Sequence, residues 1–210
     1  MRLILLAAAA ALLVSPALSQ TPATAPTPAS APPAGPYLAD PVHASLTWQV
    51  LHQGLSWYTA RFTSFSVALD FNPADVSKSK VTASIDPKSV ETDFAKTRPA
   101  SNTADFNTEI ANGANFLNAG KFPKIDFVST SIKKTGERTG TMTGNLTFLG
   151  VTKPVTLDVT FLGDRNDPRI QKHKVGFQAV GSFKKSDFGM TFAAIGDEVK
   201  IEVNAEFAQK

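Results

Sequence analysis

Apolar residues recur at every second position along most of this chain, in runs bounded by turn-forming residues, the signature of antiparallel strands with one buried face. The cleanest stretch is Gly140–Gly163. Met142, Gly144, Leu146 and Phe148 fall on one face of its first half, and Val155, Leu157, Val159 and Phe161 on one face of its second. Threonine, asparagine and aspartate fill the opposite faces, so the spacing predicts a β-hairpin with one dry side. Such a ribbon cannot bury a face alone and requires covering strands. Before it, Leu46, Trp48 and Val50 predict a first strand, which His52-Gln53-Gly54 ends. Trp57–Phe71 predicts a longer second strand with Phe65, Val67, Leu69 and Phe71 inward. Tyr58 and Phe62 have the other parity, so a bulge or bend is expected near Thr63-Ser64. Val81, Ala83 and Ile85 predict a third strand, ended by Asp86-Pro87.

Between about Ser89 and Phe122 the strand period vanishes. Phe106, Ile110 and Leu117 recur at helical spacing behind the capping candidates Ser101 and Asn102, which predicts one or two short helices inserted between strands 3 and 4. Ile125, Phe127 and Ser129 then open a fourth strand in an ambiguous register with Val128, and the hairpin follows. Gly163–Pro168 reads as a polar loop. Val175, Phe177, Ala179, Gly181 and Phe183 predict the seventh strand; Val199, Ile201, Val203, Ala205 and Phe207 predict the eighth. The fold class is therefore mainly β. About eight strands suit either a closed barrel with an interior wide enough for side chains or one small ligand, or two packed sheets. A membrane barrel fits poorly, because Lys200, Glu202 and Glu206 would then face lipid or fill the lumen.

The N-terminus sets the expected compartment. Met1-Arg2, the apolar run Leu3–Val14 and Ala17-Leu18-Ser19 form the grammar of a secretory signal peptide over residues 1–19, too short to span a bilayer. Residues 20–36 carry no charge and half of the chain's 14 prolines lie between Pro16 and Pro36, so a Pro/Ala/Thr-rich extended linker is expected. That leaves one domain over residues 37–210, periplasmic or secreted and soluble after cleavage. The chain has no cysteine, which excludes a disulfide, a thiol nucleophile and a lipidated-cysteine anchor. Its 21 basic and 18 acidic residues are scattered, which argues against a nucleic-acid partner.

The residues offer little chemistry. His43, His52 and His173 lack metal-ligand spacing, so no metal is expected. No G-x-S-x-G elbow or phosphate loop occurs, and an enzyme built on His52 and Asp187 has no positive support at residue level. Asp187 fits a turn cap in Lys185-Ser186-Asp187-Phe188-Gly189. The inward faces are more informative, since they mix large residues with Gly144, Gly181, Ala83, Ala179 and Ala205. Small inward residues either relieve crowding or leave a long apolar cavity under the helical insertion, and the residues alone leave both open.

Several runs resemble a known family. They are His52-x-Gly54, Arg61-Phe62-x-x-Phe65, Phe122-Pro123-x-Ile125-x-Phe127-x-Ser129, Gly144-x-Leu146-x-Phe148-x-Gly150-Val151-Thr152-x-Pro154-Val155, Ser186-Asp187-Phe188-Gly189 and Gly196-Asp197-x-Val199. In this order, from about Tyr37 onward, the chain is similar to the YceI-like family of secreted, lipocalin-like proteins. Two positions depart from the family pattern: Arg98 is followed by Pro99 rather than Asp, and Lys185 stands where an Arg is usual. The resemblance implies an eight-stranded antiparallel lipocalin-like barrel that holds a polyisoprenoid or similar long-chain amphiphile, without catalysis or a cofactor beyond a bound isoprenoid lipid or quinone. The expected lumen lining is Trp48, Val50, Phe65, Val67, Phe127, Leu146, Phe148, Val159, Phe177 and Val203. His52, Lys185 and Asp187 are the expected head-group contacts. An isoprenoid-tailed lipid is the expected partner, with transient membrane contact and a monomeric or homodimeric state. The alternative is a packed barrel that docks a membrane redox or stress partner and holds no small ligand.

Overall fold

Period-2 alternation becomes ten strands in a computed structural model, which describes residues 31–210. The expected signal peptide and residues 20–30 of the Pro-rich segment lie outside the described residues. The strands are β1 (Gly35–His52), β2 (Ser56–Phe62), β3 (Phe65–Phe71), β4 (Lys80–Ile85), β5 (Val90–Glu91), β6 (Ile125–Lys134), β7 (Thr139–Phe148), β8 (Val151–Asp167), β9 (Lys172–Lys184) and β10 (Ile195–Gln209). Every ladder is antiparallel, and the sheet closes because β1 pairs with β10 as well as with β3. The closed ring is β1, β3, β4, β6, β7, β8, β9 and β10, an eight-stranded antiparallel barrel.

The two extra strands are continuations. β1 is long enough to pair first with β3 (Gly35–Leu38 opposite Phe71–Ala68) and then with β2 (Leu46–His52 opposite Phe62–Ser56). β2 and β3 are thus one run broken at Thr63-Ser64, where the parity change predicts a bend. Thr63 N–H turns away to donate to the Ser89 carbonyl, and the Ser64 carbonyl accepts from Asp86 N–H. β4 and β5 are related in the same way across a short 3₁₀ turn over Pro87–Ser89, which Asp86 caps through Lys88 N–H.

Three sequence expectations are corrected. The first strand starts at Gly35, not near Leu46, because the four residues Asp40–His43 bulge out of the β1–β10 ladder and interrupt the alternation. Gly163–Asp167 is strand rather than loop: after a bulge between Phe161 and Gly163, β8 pairs with β9 to Asp167 opposite Lys172. The helical insertion holds α1 (Phe94–Thr97) and α2 (Phe106–Asn112), and the cap of α2 is Asp105, not Ser101 or Asn102. The Asp105 carboxylate accepts from the Thr108 hydroxyl and N–H, which hold it below the usual carboxylate range. Leu117 lies beyond the helix, although it is buried beneath it. The register of β6 resolves with Phe127 inward and Val128 outward, and a bulge between Ser129 and Ser131 brings Ile132 inward as well.

The β7–β8 hairpin is as tight as a hairpin can be. Phe148 pairs with Val151 across Leu149-Gly150, both at positive φ (49° and 75°), the primed two-residue turn whose twist matches that of the strands. Gly150 takes that conformation without strain, whereas Leu149 pays for it in backbone strain and packs its side chain against the core.

Candidate functional site

The barrel encloses a cavity of about 980 Å³, lined by side chains of all eight ring strands and of β2. Inward residues at the two ends of the barrel are buried against each other. One end holds Tyr37, Leu69, Phe71, Val175 and Phe207; near the other, Phe148, Phe183 and Phe188 stack edge to face with centroids 5.2–5.9 Å apart. Tyr37 has no exposed surface, its hydroxyl donates to the Pro33 carbonyl, and burial pushes its pKa up. Between the ends, Trp48, Val81, Ala83, Val159, Phe177, Ala179, Ile201 and Val203 point inward yet remain only partly buried. Inside a closed ring their uncovered surface faces the cavity.

Nine of the ten residues expected to line a lumen do line this cavity: Trp48, Val50, Val67, Phe127, Leu146, Phe148, Val159, Phe177 and Val203. Phe65 does not. It follows the bend directly, pairs with Ile85 and packs between the two apolar clusters. Of the expected head-group residues, His52 sits exposed on the rim, at the hairpin joining β1 to β2. Lys185 and Asp187 lie outside the lining. Lys185 is buried with its ammonium donating to the Met190 carbonyl at 3.3 Å, and Asp187 is exposed on the neighbouring turn. That turn is capped by Asp197, not Asp187: the Asp197 carboxylate accepts from the Ser186 N–H and hydroxyl, and these bonds lower its pKa.

Two of the small inward residues leave no room. A Cβ on Gly144 would stand 2.3 Å from Phe127 Cζ and 2.7 Å from the Val128 carbonyl oxygen; one on Gly181 would stand 2.6 Å from Leu157 Cδ2 and 2.8 Å from the Thr156 carbonyl oxygen. At these positions glycine admits a neighbour's side chain. The open volume lies instead beside Ala83, Ala179 and Ala205, which all line the cavity.

The cavity wall is overwhelmingly apolar, and its charged members, Glu109, Lys133, Lys134, Glu137 and Arg138 among them, are exposed at the ends. Sequence reasoning missed Tyr58, which lines the cavity with its hydroxyl buried. The signal was present, since the parity break that predicts the bend also turns Tyr58 and Phe62 inward beside Val50 and Leu46.

A second polar cluster lies where the Asp40–His43 bulge folds over β9 and β10. Asp40, His43 and Glu206 bring their ligand atoms within 4.8 Å of one another, the spacing of a metal site. The Lys174 ammonium, however, donates to both carboxylates at 2.9 and 3.0 Å and already occupies the place between them that a metal ion would take. Hydrogen bonds from His43 first, and then from Lys174 and Val42 N–H, hold Asp40 well below the usual carboxylate range; Asp40 and Glu206 in turn raise Lys174. These residues form an ion-pair cluster around a cation of the protein's own.

Fold and cavity together define a closed, eight-stranded antiparallel barrel of lipocalin-like architecture around an apolar cavity. The chain belongs to the YceI-like family: the YceI-like domain matches residues 37–207. Protein YceI of Salmonella arizonae is 35% identical over 170 residues, which cover 80% of this chain and 83% of that protein, and the same figures hold for Salmonella paratyphi B. Among solved structures, the Campylobacter jejuni YceI protein superposes with a TM-score of 0.62 at 26% identity, covering 74% of this chain and 87% of that one. Burkholderia cenocepacia BcnA gives 0.67 at 22% identity, covering 80% and 98%. A polyisoprenoid-binding domain from Saccharophagus degradans shares the fold with a TM-score of 0.58 at 13% identity, covering 85% and 100%.

Proposed function

We propose that this protein is a non-catalytic periplasmic carrier that shelters the tail of a polyisoprenoid or quinone-type lipid in its barrel. The observation that carries this reading is the ring of inward, partly uncovered apolar side chains around a void of about 980 Å³, at the upper end of the size of small-molecule pockets. The polyisoprenoid-binding Saccharophagus domain, which has the same fold, supports it.

The physics suits the task. Burying a CH₂ group is worth about 0.8 kcal/mol, so one five-carbon prenyl unit contributes on the order of 3–4 kcal/mol. A full tail would exceed the practical affinity ceiling of about −20 kcal/mol on area alone, so ordering costs and exchange with the membrane set the net value. The two residues on which an enzyme reading would rest stand apart: His52 is on the rim, Asp187 is on an outer turn, and they share no hydrogen bond. Titrating delipidated protein with polyprenols of increasing length tests the proposal. Affinity should rise steeply with each unit and level off once the cavity is full; absence of uptake at every length would overturn it.

A further inference from the structure

Because every ladder is antiparallel, the connections of the ring alternate between its two ends. The helical insertion and the β7–β8 and β9–β10 turns lie at one end; the β3–β4, β6–β7 and β8–β9 connections lie at the other. Two hairpins at that second end concentrate the charge. Residues 133–138 and 164–172 hold six basic residues (Lys133, Lys134, Arg138, Arg165, Arg169 and Lys172) and three acidic ones (Glu137, Asp164 and Asp167), a surplus of three, equal to the net +3 of the whole chain. All six basic residues are exposed. Two of the acids are engaged within the fold. Asp164 Oδ2 lies 2.8 Å from His173 Nε2, and Asp167 is buried, accepts from Arg169 N–H and has the Arg165 and Arg169 guanidinium groups 3.9 and 3.6 Å away. Among the described residues, Lys133, Lys134 and Lys172 form no ion pair. Arg138 ties the two hairpins into one surface: its Nε donates to the Phe161 carbonyl at 2.9 Å, its guanidinium also donates to the Leu162 carbonyl, and it lies over the Phe161 ring. Large apolar side chains stand exposed among these charges, Leu162 beside Arg138 and Ile170 at the tip of the β8–β9 hairpin between Arg169 and Lys172. The cavity reaches this same end, where Lys133, Lys134, Glu137 and Arg138 line it.

We infer that this end of the barrel docks on the surface of an anionic phospholipid bilayer, with the six basic residues among the lipid phosphates and Ile170 in the apolar boundary beneath them. The inference rests on the carrier reading, which requires a bilayer to exchange tails with, and it names the face that meets that bilayer. A bilayer surface is a negative layer over an apolar one, and a hairpin tip that sets an apolar side chain between cations complements both layers at once. The mouth lined by Lys133, Lys134 and Arg138 then faces the lipid, so a tail can pass into the cavity without crossing water. The opposite end lacks this complementarity. It exposes Leu55 and Trp57, but the Lys200 ammonium sits over the Trp57 ring at 3.5 Å, Glu109 is the acidic residue lining the cavity there, and Lys184 is interspersed with Asp187, Asp197 and Glu198.

Sedimentation of the purified protein with vesicles tests the docking face, using phosphatidylethanolamine mixed with phosphatidylglycerol against phosphatidylcholine alone. Partition onto the anionic vesicles should exceed that onto the neutral ones about a hundredfold at about 0.1 M salt, and the difference should collapse toward 1 M, where the Debye length shrinks to about 3 Å. Each lysine removed should weaken anionic binding about fivefold, so Lys133→Gln with Lys134→Gln should lose about twenty-fivefold and the triple variant with Lys172→Gln about a hundredfold. Ile170→Ser should lose about tenfold with the salt dependence unchanged. All four positions are exposed, so the variants should melt as wild type does. Leu55→Ser, the control at the other end, should bind as wild type. Equal binding to the two vesicle types, full binding by the triple lysine variant, or a loss confined to Leu55→Ser would overturn the docking face. So would indifference to vesicles together with tight binding of soluble polyglutamate, which would make the partner an acidic protein. Polyprenol uptake is read separately: a protein that binds anionic vesicles but takes up no polyprenol keeps the docking face and loses the carrier reading.

Discussion

Filling the lumen separates a carrier from a packed barrel, and Ala179 is the position to fill. It stands on β9 between Val159 of β8 and Val203 of β10, all three lining the cavity and none closely covered. Ala179→Phe places a ring where the account has empty space, so folding stability should stay within about 1 kcal/mol of wild type. A tail that needs the same space loses the burial of roughly one prenyl unit, about 3–4 kcal/mol, which is a hundred- to a thousandfold in affinity. The control is Gly181→Leu, two residues along the same strand and on the same face. There the new Cβ meets Leu157 Cδ2 and the Thr156 carbonyl oxygen inside 3 Å, so overpacking should cost about 1–3 kcal/mol. Thermal melts and polyprenol titration of the two variants read both effects. If Ala179→Phe loses as much stability as Gly181→Leu, the walls already meet there. If it folds and binds as wild type does, the tail lies elsewhere.

Two further outcomes follow from the packing and charge. Phe188, 2% exposed and edge to face with Phe148 and Phe183, closes the core near the helical insertion; Phe188→Ala should cost about 3–5 kcal/mol, measured by denaturant unfolding. Asp40 is held ionised in the fold but takes up a proton near its ordinary value of 3.8 when unfolded, so its contribution is present at neutral pH and fades as pH falls through the acid range. Lys174, raised above 10.5, keeps its contribution until strongly alkaline pH. The melting temperature should therefore drop on acidification, and Asp40→Asn should lower it at pH 7 and flatten the acid limb; parallel curves for the two proteins would refute this role.

Where alternation was regular, the architecture was legible. The central hairpin, the last strand and the bend at Thr63-Ser64 all follow from parity, because every second residue of a barrel wall faces inward and must be apolar. Parity fails where polar side chains satisfy each other. Asp164 and Asn166 both bond His173, and Asp167 accepts from Arg169 N–H, so the end of β8 looks like a loop in sequence while remaining paired strand. The Asp40–His43 bulge hides the start of β1 for the same reason. In the site, alternation identifies which side chains face inward but not whether opposite walls meet. Gly144 and Gly181 suggest volume in sequence, yet Phe127 and Leu157 occupy it. Lys185 and Asp187 were legible as a motif, while their position outside the cavity depends on a turn whose cap, Asp197, comes from the next strand.

The most direct measurement is the native mass of the protein isolated from the cells that make it. A carrier should show a discrete mass excess that disappears on organic extraction, and the extract should yield a compound that fragments at five-carbon intervals. A single mass equal to that of the polypeptide alone, unchanged after incubation with prenylated quinones and polyprenols, would contradict the account.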